Sequence, residues 1–514
     1  MRRKKHLILI ICTLWPLVTL QAQDNGTARL TQGLVYGAEA QVSASNGLTP
    51  LWLNANKHGL SSLEETNGYL RATVERPLQA DSLRQWALGY AADVAVPFNY
   101  TSHLVVQQLY AEARWKHGVL TVGSKEQPME LKNNLLSSGS QTLGINARPV
   151  PQVRLALPDY WTVPVLGRWF HLKGHIAYGM MTDDKWQHDF TRMESKYTDD
   201  ILFHSKAGYL KIGKDDHPFS AEFGAELAMQ FGGKTFRQEN GQTVLYEGKR
   251  GLGAFIDALF PTEGESYGDE VYSNVAGNNL GSWMARLNYD RPQWRLSVYG
   301  EHFFEDHSGM LQIDYDGYGT GDEWNVKKDN RYFLYDLKDI MLGAELNLKQ
   351  CRWFSSAVVE YIYTKYQSGP VYHDHSQLSA DHISGRDDYY NHGHYPGWQH
   401  WGQVMGNPLY RSPIYNDNHE VWVTDNRFSA WHLAAMGAPT ARLSYRAMLT
   451  WQTGLGTYNY PYTHPRHNFS MMAEATCRIS PQWALRAAYG IDRGSILGDN
   501  QGAQITVIYK TKGK

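Results

Sequence analysis

Between Thr440 and Gln452 the chain sets Ala441, Leu443, Tyr445, Ala447, Leu449 and Trp451 at every second position, with Arg442, Ser444, Arg446, Thr450 and Gln452 between them. The same pattern returns at Trp483, Leu485, Ala487, Tyr489 and Ile491, interleaved with Gln482, Arg486, Gly490 and Asp492. A period of two is strand geometry, and here one face is oily while the other is polar or charged. Strands of about nine to eleven residues are long enough to cross a bilayer at a tilt. An apolar outside and a polar inside are the two faces of an outer-membrane barrel wall.

The alternation predicts strands over 34–43, 68–76, 85–96, 105–116, 118–124, 151–157, 169–180, 206–213, 220–230, 280–290, 293–304, 340–349, 352–366, 429–437, 440–453, 467–479, 482–492 and 503–510. That is about eighteen, an even number as single-chain bacterial barrels require. In the second half, tight turns at Asp290-Arg291-Pro292-Gln293, Gln350-Cys351, Gly437-Ala438-Pro439 and Ser480-Pro481-Gln482 alternate with long connections at 181–205, 231–279, 305–339 and 367–428. Up-down counting from a periplasmic N-terminus puts every tight turn inside and every long loop outside, the asymmetry of outer-membrane barrels. A soluble sandwich has no reason to keep that parity. The expected fold is all-β: a transmembrane antiparallel outer-membrane β-barrel of about 18 strands with long extracellular loops.

Composition agrees without deciding the matter. The 514 residues include 33 Tyr and 17 Trp, and the mean hydropathy is only −0.49. Beyond the N-terminus no apolar run approaches the ~18 to 20 residues of a membrane helix. Arg2, Arg3, Lys4 and Lys5 precede an apolar stretch from Leu7 to Leu20 and a cleavage site after Ala22, the pattern of a secretory signal peptide. Residues 1–22 are therefore expected to be a signal peptide, and 23–514 a single barrel domain in the outer membrane. Cys12 lies inside the apolar run rather than at the cleavage point, which argues against a lipoprotein anchor. The remaining chain has 45 basic against 51 acidic residues and no basic patch, so nucleic acid is not an expected partner. Cys351 and Cys477 fall on non-adjacent hairpins and are read as unpaired.

Glu222 and Glu226 alternate with Ala221, Phe223, Ala225, Leu227 and Met229, and Arg286, Asn288 and Asp290 with Trp283, Ala285, Leu287 and Tyr289. An arginine facing lipid at mid-bilayer costs about 2 to 4 kcal/mol, so these groups must face the lumen. Acids and bases are mixed rather than segregated, which favours pairing across the lumen over a selective channel lining.

The 367–428 loop carries His373, His375, His382, His392, His394 and His400, with two His-x-His spacings. Imidazoles so spaced could hold a transition metal, but no cysteine or metalloprotease helix accompanies them, and no metal site is assigned. Asp314, Asp316, Asp322 and Glu323 in a Gly-rich stretch suggest calcium, yet Asn325 stands where the twelfth-position Glu of an EF-hand loop would be. A solvated turn is the simpler reading. The segment from Leu252 to Phe260 reads as a short amphipathic helix packed over the barrel mouth. No GxSxG elbow, P-loop or dinucleotide fingerprint occurs in a convincing context, and acidic neighbours such as Asp183-Asp184 or Asp387-Asp388 have no fixed separation. No catalytic residue and no cofactor are assigned, and the protein is expected not to be an enzyme.

Aromatic faces beside amides, carboxylates and histidines suit sugar rings, which stack their CH groups and hydrogen-bond their hydroxyls. The residues placed in such a glycan-binding set are Tyr315, Tyr318, Trp324, Tyr389, Tyr390, Tyr395, Trp398 and Trp401.

Several short motifs occur in order along the chain: Pro50-Leu51-Trp52-Leu53-Asn54-Ala55-Asn56-Lys57-His58-Gly59, Leu109-Tyr110-Ala111-Glu112, Leu136-Ser137-Ser138-Gly139-Ser140, Asn146-Ala147-Arg148-Pro149-Val150-Pro151-Gln152, Gly277-Asn278-Asn279-Leu280-Gly281-Ser282, Gly406-Asn407-Pro408-Leu409-Tyr410 and Asp425-Asn426-Arg427-Phe428-Ser429-Ala430. From about Pro50 to Tyr509 the chain resembles the Wzi family of capsule-assembly outer-membrane proteins. That resemblance implies a barrel of about eighteen strands acting as a lectin that helps hold exported capsular polysaccharide on the cell surface. The expected partners are capsular or other surface polysaccharide and outer-membrane lipid, and the expected state is monomeric. The rival reading is an outer-membrane porin or saccharide diffusion channel.

Overall fold

Eighteen strands form one antiparallel sheet in which each pairs with its neighbours in sequence and the last returns to the first. They are β1 (Val35–Asn46), β2 (Thr66–Arg76), β3 (Trp86–Phe98), β4 (Val105–Trp115), β5 (Gly118–Ser124), β6 (Gln152–Thr162), β7 (Phe170–Met180), β8 (Leu202–Gly213), β9 (Phe219–Phe231), β10 (Asn278–Asp290), β11 (Trp294–Glu305), β12 (Ile340–Leu348), β13 (Ser356–Tyr363), β14 (Phe428–Gly437), β15 (Leu443–Gly456), β16 (Pro461–Arg478), β17 (Trp483–Gly494) and β18 (Asn500–Lys510). The structure is a computed structural model that describes residues 30–511, apart from 83, 215, 261–276, 306–310, 315–330, 335–338, 368–370, 374–381 and 385–386. The predicted signal peptide lies outside the described residues.

Closure runs from Gly37 opposite Lys510 to Asn46 opposite Gln501, which leaves the sheet no free edge. Every predicted strand is present. β13 is shorter than expected, because the segment before Ser356 is the periplasmic turn. β16 starts earlier than expected, because the outer turn after Gly456 is tight enough for pairing to resume at Pro461. The two weakest alternations, 118–124 and 151–157, are both wall strands, and they pair from Val119 opposite Ala156 to Gly123 opposite Gln152.

The outer face is the oily one. Leu70, Val96, Leu109, Leu155, Leu287, Val298, Leu433, Leu449 and Ile505 are all exposed to the surroundings. Aromatic pairs ring both ends of this band: Trp86 with Trp115 and Trp483 with Tyr509 on the periplasmic side, Tyr361 with Trp431 and Trp451 with Phe469 on the outer side. Such girdles sit at the two membrane interfaces. The lumenal face is the polar one. The Arg286 guanidinium donates to Glu345 at 2.7 Å and Asn288 to Glu222 at 2.8 Å. Tyr209 donates to Glu226 at 2.7 Å. The mixed charges pair inside the lumen, as their alternation predicts. Cys351 and Cys477 are both free.

The lumen is filled by the chain's own outer loops. Residues 47–65, 125–151 and, of the loop 364–427, the described stretch 387–427 lie inward of the outer rim. In the first, helix α1 (Leu51–Asn54) is wholly buried. The Leu51 amide donates to Asp492 of β17 at 3.0 Å, the Trp52 indole to Thr450 of β15 at 3.1 Å and Lys57 to Gln504 of β18 at 2.7 Å. The second loop reaches the opposite wall, where Ser137 and Ser138 donate to Glu360 of β13, and Lys132 pairs with Glu301 of β11. The third packs on the second: Tyr390, Trp398, Leu409 and Tyr410 join Leu53 and Leu136 in one buried cluster with wall residues from β8 through β17. Two further helices are α2 (Trp186–Thr191) and α3 (Leu252–Leu259). The position of α3 corrects an expectation: it packs on the outside of the wall, against Tyr178, Leu202, Met229 and Phe231, and not over the mouth.

Candidate functional site

The aromatic residues expected to face sugars divide sharply by position. Trp398 and Tyr390 are 0% exposed, and Tyr389 and Tyr395 are also buried. Three are fixed by their polar ends: Tyr389 donates to Asp339 at 2.9 Å, Trp398 to the Thr142 carbonyl at 2.9 Å, and Tyr390 to the Gln141 carbonyl. Tyr390 and Tyr410 lie 4.1 Å apart, and Phe303 meets Tyr389 edge-on at 4.6 Å. In this arrangement no sugar reaches these four rings, which form the interior of the loop assembly. The physical reason is that a loop entering a barrel needs an apolar core of its own, and tyrosine and tryptophan supply area while their polar ends satisfy loop carbonyls. Tyr315, Tyr318 and Trp324 lie outside the described residues.

Trp401 is the described member of that set that stays partly exposed. Its backbone has a positive φ of 56°, which turns the ring out of the core that Trp398 enters. The Arg148 guanidinium stacks on the ring at 4.1 Å, so one face is held and the rest is offered outward. Beside it Thr182, Asp183, Gln187, Gln399 and His400 line a small polar pocket between the loop after β7 and the middle of the third plug loop.

The pocket is rigid because its polar groups are cross-tied. The Asp183 carboxylate accepts from the Lys185 amide at 3.1 Å and from the Gln187 side chain at 2.9 Å, which fixes the start of α2. Burial pushes the Asp183 carboxyl up from the usual carboxylate range, against those hydrogen bonds. Gln187 accepts from Thr198 through both amide and hydroxyl, at 3.2 and 3.0 Å. His400 accepts the Thr182 amide on Nε2 at 3.2 Å and donates from Nδ1 to the Arg148 carbonyl at 2.8 Å. Burial drives its pKa down to about 4, so the ring is neutral at pH 7. Both nitrogens are committed, which leaves no lone pair for a metal.

The remaining histidines are scattered. His392 accepts the His394 amide at 3.0 Å, and burial lowers its pKa to about 3. His373 and His382 are opposite positions in the backbone pairing of Val371–His373 with His382–Ser384. Among the described residues no cluster of three or more histidine, cysteine or carboxylate side chains is placed to hold a metal ion. Asp316, Asp322 and Glu323 lie outside the described residues.

Sequence reasoning missed Arg148, Thr182 and Gln187. Arg148 lies in one of the motifs that carry the family resemblance, and that was the available signal. Thr182 and Gln187 carry none, because their role comes from the way two distant loops meet.

Fold and site together define an outer-membrane β-barrel closed by its own outer loops. No protein-family model matches the chain, and no curated protein matches it. Among solved structures it is similar to Wzi of Escherichia coli, an outer membrane protein involved in group 1 capsule assembly and described as a carbohydrate-binding β-barrel, with a TM-score of 0.56, 13% identity, and coverage of 93% of this chain and 84% of that one. OprD of Pseudomonas aeruginosa matches at a TM-score of 0.43 and 9% identity over 93% of this chain and 95% of that one. OmpT of Vibrio cholerae, as a loop-deletion mutant, matches at 0.37 and 8% over 94% and 100%. The expected resemblance to Wzi thus holds at the level of the fold.

Proposed function

We propose that the protein is a non-enzymatic, lectin-like outer-membrane barrel that helps attach or assemble capsular polysaccharide at the cell surface. The observation that carries this reading is the direction in which the loops fold. Three outer loops fill the lumen, and a rigid polar pocket edged by Trp401 stands at their outer side. A diffusion channel needs the opposite arrangement, a lumen left open to solvent. The partly exposed Trp401 indole offers a stacking face to one sugar ring, and the rigid pocket beside it holds that ring in place. Contacts of this kind are weak singly, and a polymer gains retention by repeating them.

The proposed contact set is Trp401 with Tyr315, Tyr318 and Trp324 from the loop after β11. Tyr389, Tyr390, Tyr395 and Trp398 are buried in the loop core and are not contact residues in this reading. The similarity to a carbohydrate-binding barrel fits this reading and does not identify the sugar. Deletion of the gene followed by capsule staining tests it: polysaccharide should move from the cells to the medium. Normal cell-bound capsule with nothing released would overturn it. In planar bilayers the purified protein should conduct little, whereas a porin conducts steadily.

A further inference from the structure

Strand pairing sets Tyr178 of β7 opposite His204 of β8, and His204 opposite Met229 of β9, in one row on the outer face of the wall. The row beneath is Ile176, Lys206 and Leu227. A lysine here points towards lipid rather than into the lumen. Lys206 stands six positions above Ile212 on β8. At ~3.3 Å per residue and a tilt of about 40°, that is roughly 15 Å up an apolar band of about 25 Å. Lys206 and His204 therefore lie within the outer half of the membrane span.

Helix α3 covers them. Ala254 and Ala258 are the buried residues of its inner side, and their small side chains let the helix lie close to the wall. Tyr178 donates its hydroxyl to the Phe255 carbonyl at 2.7 Å. Lys206 donates to the carbonyls of Ala258 and Leu259, the negative end of the helix. The Tyr178 hydroxyl and the Lys206 ammonium on the wall are thus met by backbone carbonyls of the helix.

Among the described residues nothing covers the opposite side of α3. Leu252 and Ile256 are one turn apart on the helix and Phe260 follows its end; this apolar stripe is 80, 54 and 66% exposed. We propose that α3 is a side helix embedded in the outer leaflet, its stripe packed among lipid acyl chains. The stripe is continuous with an interface already in lipid, since Leu172, Ile176 and Met180 of β7 and Phe223 of β9 are exposed on the same outer wall. Its extent, three side chains, is far below what a stable contact between two protein copies buries. The wall side of the helix, Ala254, Phe255 and Ala258, is apolar as well, and Asp257 is its one polar side chain, so the helix is apolar on two sides, as a helix within a membrane is and a helix that meets water is not.

Spin labelling in a bilayer tests this. In a background carrying Cys351→Ser and Cys477→Ser, nitroxides are attached at Ile256→Cys and, as a second probe, Leu252→Cys. Leu172→Cys is the lipid-facing reference and Gln242→Cys the exposed-loop reference. Heat-shifted gel mobility confirms that each labelled barrel is folded. At 252 and 256, collision with oxygen should exceed collision with a water-soluble nickel chelate, as at 172, and the order should reverse at 242. Chelate exceeding oxygen at 256 would put the stripe in water and overturn the proposal. Low access to both, with spin–spin broadening, would make it a contact between copies and overturn it equally.

Discussion

Ser138 holds Glu360 twice, through its backbone amide at 2.8 Å and its hydroxyl at 2.6 Å. Ser137 adds a bond at 2.6 Å and Tyr299 another at 2.6 Å. One wall carboxylate of β13 thereby anchors the tip of a loop that began at the outer rim of β5. This anchorage turns a loop into a plug.

Replacing Glu360 by alanine leaves four buried donors without an acceptor. Each hydrogen bond to a charged group contributes about 1.5 to 3 kcal/mol, and orphaned partners add to the loss. We expect Glu360→Ala to destabilise the barrel by roughly 3 kcal/mol or more, with Glu360→Gln milder. Urea titration by gel mobility measures this. The variant should also conduct in planar bilayers where the wild type conducts little. An unchanged midpoint with no conductance would show that the plug is anchored elsewhere.

Gly406 lies where the second and third loops touch. A methyl group there would stand 2.0 Å from the Tyr390 hydroxyl and 2.3 Å from the Gln141 carbonyl. One of those atoms is backbone held in the plug core, so the clash is not relieved by a rotamer change. Gly406→Ala should cost about 1 to 3 kcal/mol, the range for overpacking. Hydrogen exchange should localise the loss to 125–151 and 364–427, with the wall strands unaffected.

The wall was legible in the sequence because one physical rule, oily outside and polar inside, acts on every second residue of every strand. Trp431, Leu433, Leu449 and Trp451 show it most plainly. The inside of the barrel was not legible. Tyr389, Tyr390 and Trp398 have the composition of a sugar platform, and that composition is shared by a loop that buries its own aromatic residues. The two differ only in where the loop goes, which is set by contacts such as Asn407 to Ser138, separated by 269 residues. Likewise α3 was legible as an amphipathic helix, but its side of the wall follows from Lys206, whose outward direction is fixed by strand register.

Trp398 and Trp401 stand three residues apart and should respond in opposite ways. Trp398→Ala empties a fully buried site and should destabilise the fold by about 3 to 5 kcal/mol. Trp401→Ala should leave the unfolding midpoint nearly in place and weaken binding to the cell's own capsular polysaccharide about tenfold, an aromatic contact of ~1.4 kcal/mol. Midpoints and polysaccharide titration on the same preparations separate the two. Equal loss of binding in both, with both folded, would remove Trp401 from the contact set.

His400 ties the Trp401 pocket to pH. Burial, with the Arg148 charge nearby, holds its pKa at about 4 against an ordinary 6.5. The ring is neutral in the folded protein through that interval, while the unfolded chain takes up a proton. Its contribution to stability is therefore complete above about pH 6.5 and is lost as the pH falls towards about 4. The full difference is roughly 3 kcal/mol. Asp425 acts with the opposite sign, because burial raises its carboxyl to about 7, so total stability against pH mixes the two. The difference between wild type and His400→Gln isolates the histidine, since glutamine can still accept the Thr182 amide and does not titrate. The wild type should lose stability relative to the variant as the pH is lowered from 7 to 4, with most of the change between 6.5 and 4.5. A constant difference across that interval would mean that the His400 ring is solvated and that the pocket is looser than its hydrogen bonds imply.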